Sequence, residues 1–449
     1  MTQGVLQGRW DQWVVLRLYR AAFTLSIVLF VVVFPLWLFS AKRRATLFKR
    51  LGWQRYPRGG ASRQKPVWIH ALSIGELLSA GSLIQRLRHE LGDRPLYLSV
   101  STASAFAMAH DRFSRQCDGI FYFPYDLQCS VNRSLDAVDP ALIVLIETDI
   151  WPGFLAEVRR RGIPCCLVNG RLSPESFRAY RRFPLLFEPC LKTFRAIYPQ
   201  SPREAQRFLA VGVTPEHLRY TGNLKFDVAA AVPDIDAVAA LRQEFFVSPG
   251  TRILIAGSTH PGEEEIVRSC FLRLGTRFPE LRLIVVPRRP DRGTEVLDLF
   301  QQGGHEAALA SRLERSTRVV VVDRMGYLSR LYTLADIAVI GGSFVAQGGQ
   351  NPIEPAACGT PVIFGPDMHD FPDVAAWLLA AGGAIQAQNE NDLFAACQRL
   401  LSNPEEARGM GERARTVVKE HEGATGRVVQ DLLGLLGEDE AVLSTEACP

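Results

Sequence analysis

Gly341 to Pro366, GGSFVAQGGQNPIEPAACGTPVIFGP, is the stretch whose residue types bear most directly on chemistry. The run Ile337-Ala338-Val339-Ile340 before it reads as a buried strand, and a helix carrying Glu354 is expected after it. A strand feeding a glycine-rich turn and a helix N-terminus makes an anion site, because free backbone N–H groups and the helix dipole both favour negative charge. Glycines let the backbone approach a phosphate where a side chain would collide. Pro352 suits the first helical turn, where a missing N–H costs nothing. Such a segment suits the donor end of a nucleotide-sugar transferase. It equally suits an ordinary strand–turn–helix joint of an α/β domain.

Other polar groups follow apolar runs. Glu76, in His70-Ala71-Leu72-Ser73-Ile74-Gly75-Glu76, stands in the first turn of a helix at a strand's carboxyl end. There it can take a proton from an attacking alcohol, or complete the S-x-x-E capping box with Ser73. Glu147 and Asp149, in ETDIWP after ALIVLI, can bind sugar hydroxyls or the basic edge of an acceptor; alternatively this is a solvated loop with Asp149 capping the helix that Pro152 begins. Arg178, Arg181 and Arg182 suit an anionic headgroup or phosphate, or a solvated helix face. Lys225, in GNLKFD, can reach a substrate carboxylate or phosphate. Ser258, in AGSTHPGEEE, opens a second phosphate-binding candidate, and Arg288 and Arg292, in PRRPDR, offer positive charge to a nucleotide phosphate. No GxGxxG, P-loop, HExxH or GxSxG motif occurs. Without a D-x-D near a strand end, a metal-independent group transfer is expected.

The elements that must position these groups follow a β-α-β rhythm. Strands are expected at Val67–His70, Leu96–Val100, Ala141–Ile146 and Pro164–Val168, with helices between them, as at Gly75–Leu91. The rhythm restarts at Arg252–Ala256, Leu281–Val286, Val319–Val322, Asp336–Ile340 and Pro361–Phe364. This predicts two doubly wound Rossmann-like domains, 66–230 and 241–420, facing a cleft with ligand at the carboxyl ends of the strands. The small-residue segment around 231–240 reads as a hinge, 421–436 as a closing helix, and the acidic 437–449 as a disordered tail.

Composition sets the bounds. The 449 residues carry a net charge of +4, with 47% apolar and 22% charged residues, a globular balance with no sign of a nucleic-acid binder. Nine cysteines without C-x-x-C or zinc spacing read as reduced, mostly buried thiols of a cytosolic compartment. Within the N-terminal segment 1–45, Ala21 to Ala41 is free of charge over 21 residues, enough to span a bilayer as an uncleaved anchor helix. From Lys42 to Lys65 nine basic residues and no acidic ones follow, so a basic stem (46–65) against anionic headgroups and a cytoplasmic C-terminal part are expected. A helix lying in the interface gives the same orientation.

In this order, SIGE, ETDIWP, NGRLS, GNLKFD, GSTHPGEEE, PRRPDR and GGSFVAQGGQNPIEP resemble the 3-deoxy-D-manno-octulosonic acid (Kdo) transferases, over roughly Leu36 to Leu435. The resemblance implies a GT-B fold. It implies inverting transfer from CMP-Kdo to the lipid A precursor at the cytoplasmic face of the bacterial inner membrane, without a metal or other cofactor. Glu76 would then be the general base, and Glu147, with Arg178, Arg181 and Arg182, would serve the acceptor in the first domain. Lys225, Ser258, Arg288, Gly342, Ser343, Asn351 and Glu354 would serve the donor, Glu354 as a ribose ligand. Gln350 and Arg289 stand where similar proteins often carry histidine, and Asp291 where they carry glutamate. Another GT-B transferase, a sugar-nucleotide epimerase and a non-catalytic membrane glycolipid-binding protein are the alternatives.

Overall fold

The computed structural model describes residues 12–26, 41–57, 64–229, 235–248, 250–302, 306–314 and 316–446, with side chains not described at 41–45 and 438–446. The chain divides into two compact units, Met1–Val228 with Gly423–Pro449, and Ala229–Glu422.

Unit 1 holds β1 (Val67–Ala71), β2 (Leu96–Val100), β3 (Gly119–Tyr122), β4 (Leu142–Ile146), β5 (Cys165–Gly170) and β6 (Ala196–Pro199). They form one sheet in the order β3-β2-β1-β4-β5-β6, every pair parallel. Its central strands are buried along their whole length, as a sheet covered on both faces requires. Alternation divides each strand between two cores: Val67, Ile69 and Ala71 pack on one face, Trp68 on the other. Cys165 and Cys166 are fully buried on β5, as the apolar run predicts. Strand order reverses between β1 and β4, so their carboxyl ends flank the position where doubly wound folds place ligand.

The closing helix, Ala424–Glu446, returns to unit 1. Ala424, Val428, Leu432 and Leu436 join its core at helical spacing. The Asp227 carboxylate accepts the N–H groups of Gly423 (2.6 Å) and Thr425 (2.5 Å) and so fixes where this helix starts. The expected disordered tail is corrected: helix runs to Glu446, through an acidic segment that extends an already docked helix. Residues 447–449 lie outside the described residues.

Unit 2 holds β7 (Arg252–Thr259), β8 (Leu281–Pro287), β9 (Ala307–Leu309), β10 (Val319–Val321), β11 (Ile337–Ile340), β12 (Val362–Phe364) and β13 (Ala384–Gln386). Their order is β13-β12-β11-β7-β8-β10-β9, again all parallel. Here the reversal falls between β7 and β11. The expected hinge is corrected in its second half, where helix Ile235–Glu244 packs Val238 and Leu241 into the core beneath β7. Residues 231–234 lie outside the described residues.

Most of the expected anchor, 27–40, also lies outside them. Among the described residues no helix is long and apolar enough to cross a membrane. Residues 12–26 form a helix that docks on unit 1: Tyr19 Oη donates to Asp126 Oδ2 at 2.9 Å, and Phe23 meets Trp151 edge-on. The basic stem is corrected at two positions. Arg50, closing helix Ala41–Arg50, turns inward: Nε donates to Phe123 O at 3.0 Å and its guanidinium lies 4.2 Å from the Tyr125 ring centre. Lys49 points over Phe106 and Tyr122. The carbonyl and the Tyr125 ring partly offset the burial that holds the Arg50 guanidinium below its ordinary value.

Candidate active site

The carboxyl ends of β1 and β4 carry an acidic cluster in unit 1. Helix Ile74–Ser79 begins at Ser73, whose Oγ accepts the Glu76 N–H at 3.4 Å. The Glu76 side chain turns back and accepts the Leu72 N–H at 2.5 Å. This resembles the capping box, displaced by one residue from the Ser73 N–H. The capping reading therefore holds, and it leaves the carboxylate half-buried at the strand end. Burial pushes the Glu76 carboxyl up to about 8, with the charge of Glu147 and, less strongly, that of Asp149 adding to it; the bonds from Leu72 and Ser73 oppose the rise.

Glu147 follows β4 with φ +62, in the left-handed region that its side chain disfavours. Its Oε1 lies 3.1 Å from Lys225 Nζ. Lys225 belongs to unit 1 and joins this cluster, not the other residues expected at the donor, which belong to unit 2. Two asparagines place it: Asn169 Oδ1 accepts the Leu224 N–H at 3.1 Å, and Asn223 Oδ1 accepts the Lys225 N–H at 2.9 Å. Asn169 itself sits at φ +60, where the register between β5 and β6 shifts. Such bulges re-aim side chains at strand ends.

Asp149 does not cap the following helix. Asp126 does, from another loop, accepting the N–H groups of Gly153 (2.8 Å) and Phe154 (2.6 Å). The Asp149 carboxylate instead meets His70 Nε2 at 2.6 Å. Sequence reasoning gave His70 no place at the site; a histidine inside the apolar run VWIHA was the available signal. Arg178, Arg181 and Arg182 are exposed on helix Pro174–Arg182. Arg178 pairs with Glu175 at 3.0 Å, and Arg181 and Arg182 lie over Phe177 and Phe183.

In unit 2 the expected phosphate cradle has an internal occupant. The Glu263 carboxylate accepts the N–H groups of Gly342 (2.6 Å), Ser343 (3.0 Å), Phe344 (2.9 Å) and His260 (2.9 Å), and Glu263 is 2% exposed. The donor roles of Gly342 and Ser343 are thus corrected: a nest of backbone N–H groups attracts any anion, and here one helical turn supplies it. Ser343 is fully buried; its hydroxyl donates to Ile340 O at 2.5 Å and accepts the Gly365 N–H at 2.7 Å. Gly341 is required by close approach, since a Cβ there would stand 2.2 Å from Ser258 O. Gly341→Ala is expected to cost about 3 kcal/mol as backbone is forced from backbone, read as a lower melting temperature; an unchanged melt would contradict this packing.

Ser258, at φ +57, occupies the register shift between β7 and β8. Arg288 is exposed, its N–H donating to Thr259 O at 2.9 Å. Arg292 is corrected: Glu264 (2.7 Å) and Glu295 (2.8 Å) hold its guanidinium. Arg289 pairs with Asp291 on the surface. Gln350 Nε2 lies 3.5 Å from His260 Nε2. Burial holds that imidazole below its ordinary value, against Glu263, with Arg288 adding to the depression. A neutral ring suits accepting from the Gln350 amide. Asn351 Nδ2 donates to Glu354 Oε1 at 3.2 Å, and burial raises the Glu354 carboxyl. Among the described residues no group of His, Cys, Asp and Glu is arranged to hold a metal ion.

Two parallel, doubly wound units of this kind are shared with nucleotide-sugar enzymes. The chain superposes on a UDP-GlcNAc 2-epimerase from Neisseria meningitidis with a TM-score of 0.59 at 13% identity, covering 82% of this chain and 100% of that one. It superposes on a glycosyltransferase from Rickettsia africae with a TM-score of 0.56 at 10% identity, covering 84% and 99%. These likenesses concern the fold alone.

Sequence comparison narrows the class. Residues 45–228 match the 3-deoxy-D-manno-octulosonic-acid transferase (kdotransferase) family model. The chain is 31% identical to the Haemophilus influenzae 3-deoxy-D-manno-octulosonic acid transferase over 402 residues, 88% of this chain and 92% of the relative. It is 30% identical to the Bordetella pertussis enzyme of that name over 436 residues, 93% and 100%. The chain belongs to the Kdo transferase family and is a glycosyltransferase.

Proposed function

We propose that this glycosyltransferase is a GT-B enzyme that transfers Kdo from CMP-Kdo to the lipid A precursor with inversion, in lipopolysaccharide biosynthesis. Glu76 is the general base. An acceptor hydroxyl attacks the anomeric carbon, CMP leaves with the bonding pair, and the Glu76 carboxylate takes the hydroxyl proton. The observation that carries this reading is the Glu76 carboxyl itself, lifted to about 8 beside the Glu147–Lys225 pair where strand order reverses. A carboxylate with a raised value is a stronger base than a solvated one and still ionises near neutral pH. Lys225 offers a cation to the carboxylate of the sugar or a phosphate of the acceptor. In unit 2, Asn351 and Glu354 form an adjacent donor–acceptor pair suited to ribose hydroxyls, and the exposed Arg288 offers a cation to the CMP phosphate.

The proposed place of action is the cytoplasmic face of the inner membrane. Two features of unit 1 support it. The helix 12–26 turns Val14, Leu18 and Leu25 outward at helical spacing, with Trp13 beside them. Phe183 and Leu185 are exposed next to Arg181 and Arg182. Apolar side chains flanked by arginines suit an anionic lipid surface.

The test is to incubate the detergent-solubilised protein with CMP-Kdo and tetra-acylated lipid A precursor in EDTA and to weigh the lipid. A gain of one or more Kdo units is expected and counts the transfers. Unchanged lipid, with an authentic enzyme active in parallel, would overturn the donor or acceptor assignment. Turnover that EDTA abolishes and magnesium restores would overturn the metal-independent step.

A further inference from the structure

The mechanism above leaves His70 without a task, although the residue is completely buried at the carboxyl end of β1. A buried polar side chain in an apolar strand is costly unless its atoms are paired. Those of His70 are. Nε2 lies 2.6 Å from Asp149 Oδ2, and Nδ1 lies 2.9 Å from Ser99 Oγ and 3.0 Å from Ser99 O. Trp68 Nε1–H donates to the same Ser99 Oγ at 2.7 Å. Phe123 stacks on the ring at 3.8 Å, 19° from parallel. With the proton on Nε2, the imidazole donates to the Asp149 carboxylate and Nδ1 accepts the Ser99 hydroxyl, while the Ser99 carbonyl beside Nδ1 receives no proton from the ring.

The bond reaches across the sheet from β1 to the segment that follows β4. That segment carries Glu147 in a left-handed conformation two residues before Asp149, and Glu147 in turn holds Lys225. A strained backbone persists only where its surroundings over-determine it. Asp149 is 8% exposed and leaves the neighbouring helix cap to Asp126, so the His70 bond is its restraint toward the sheet.

We infer that His70 is a positioning residue: by anchoring Asp149 it holds Glu147 in its left-handed conformation against Lys225 and keeps the two carboxylates beside Glu76. This rests on the reading of Glu76 as the base. The competing role is a plain staple between β1 and β2 through Ser99.

Two substitutions separate the roles. In His70→Gln the amide nitrogen reaches the former Nε2 position and still donates to Asp149. In His70→Asn the shorter amide stands in for Nδ1, keeps Ser99 and cannot reach Asp149. Steady-state kinetics on folded, detergent-solubilised enzyme are expected to show kcat within about tenfold of the parent for His70→Gln. For His70→Asn kcat is expected to fall about 100-fold, the scale of a misplaced catalytic group, with the donor KM nearly unchanged. Equal losses, or Asn outperforming Gln, would overturn the inference in favour of the staple. Should either variant fail to fold, Asp149→Asn, which keeps an acceptor for Nε2–H, is expected to outperform Asp149→Leu by the same margin, and equal turnover would overturn the inference. Glu76→Gln is assayed alongside. Full turnover there would remove the base assignment alone and leave the Gln-against-Asn order to judge His70.

Discussion

Glu76→Gln is expected to lower turnover by about three orders of magnitude, the scale of losing a positioned base, while the dissociation constant for CMP-Kdo stays within about twofold of the parent. The same substitution is expected to stabilise the protein at alkaline pH. The Glu76 carboxyl titrates at about 8 in the fold against an ordinary 4.5, so folding favours its protonated form. That contribution is fully present below 4.5 and is lost as pH rises through 8. Above 8 the parent bears the whole cost of an ionised carboxylate in a site that resists it, on the order of 2–4 kcal/mol, and glutamine escapes it. Melting curves at pH 6 and pH 9 should therefore diverge, with the variant's gain over the parent already begun at pH 6 and larger at pH 9. The parent's kcat/KM should rise about tenfold per pH unit up to about 8 and then level. Undiminished turnover in Glu76→Gln would return the residue to its capping role. A melting difference independent of pH would contradict the elevated ionisation.

Glu263→Gln is expected to be the most damaging single change in unit 2. The carboxylate closes four backbone N–H groups, those of His260, Gly342, Ser343 and Phe344. An amide offers one oxygen and turns an NH2 group toward the remaining donors. Unsatisfied buried donors cost about 1–3 kcal/mol each. A loss of roughly 5 kcal/mol follows, read as a melting temperature lower by about 10–20 °C for a unit of this size. Affinity for CMP-Kdo should fall at least about tenfold, because the relaxed Gly341–Phe344 turn no longer fixes the Asn351–Glu354 segment that follows it. Calorimetry on the variant checks both quantities. A melt within about 2 °C of the parent would mean that water replaces the carboxylate, and the nest would then be open to phosphate after all.

The strands read from the sequence and those it concealed differ by position in the sheets. Each central strand was legible, because burial on both faces demands a mostly apolar run such as LIVLI or ILIA. The concealed ones, β3, β6, β9 and β13, are the edges of the two sheets. Edge strands pair on one side only and are kept short; AIYP even ends in proline, which edges tolerate. The closing helix was legible as a helix to 436, but neither its continuation to Glu446 nor its membership of unit 1 was. Its apolar spacing declares a buried face without naming what buries it. Glu76 and Glu147 were legible as candidates because polar residues that follow apolar runs fall at strand ends; Glu354 was legible from the helix expected after the glycine-rich turn, and Asn351 through the resemblance alone. His70 and Glu263 were quoted within motifs and given no task, since nothing local distinguishes a buried carboxylate or imidazole from a solvated one.

By itself the sequence determined the β-α-β order, the central strands, the strand-end placement of the acidic and basic groups, and the family. All of these are local: an apolar run, a turn residue or an ordered series of short motifs is complete within a few positions of the chain. The tertiary structure decided which polar group meets which. His70 finds Asp149 at a separation of 79 residues, and Glu263 finds Gly342 at the same separation. Lys225 turns to Glu147, and the glycine-rich loop that invited a phosphate receives a glutamate. Such choices rest on strand order, on register and on the two bulges that turn Asn169 and Ser258 into left-handed backbone. Hydrogen bonds are directional over less than an ångström, so partners are settled only when the sheets have set both ends in place.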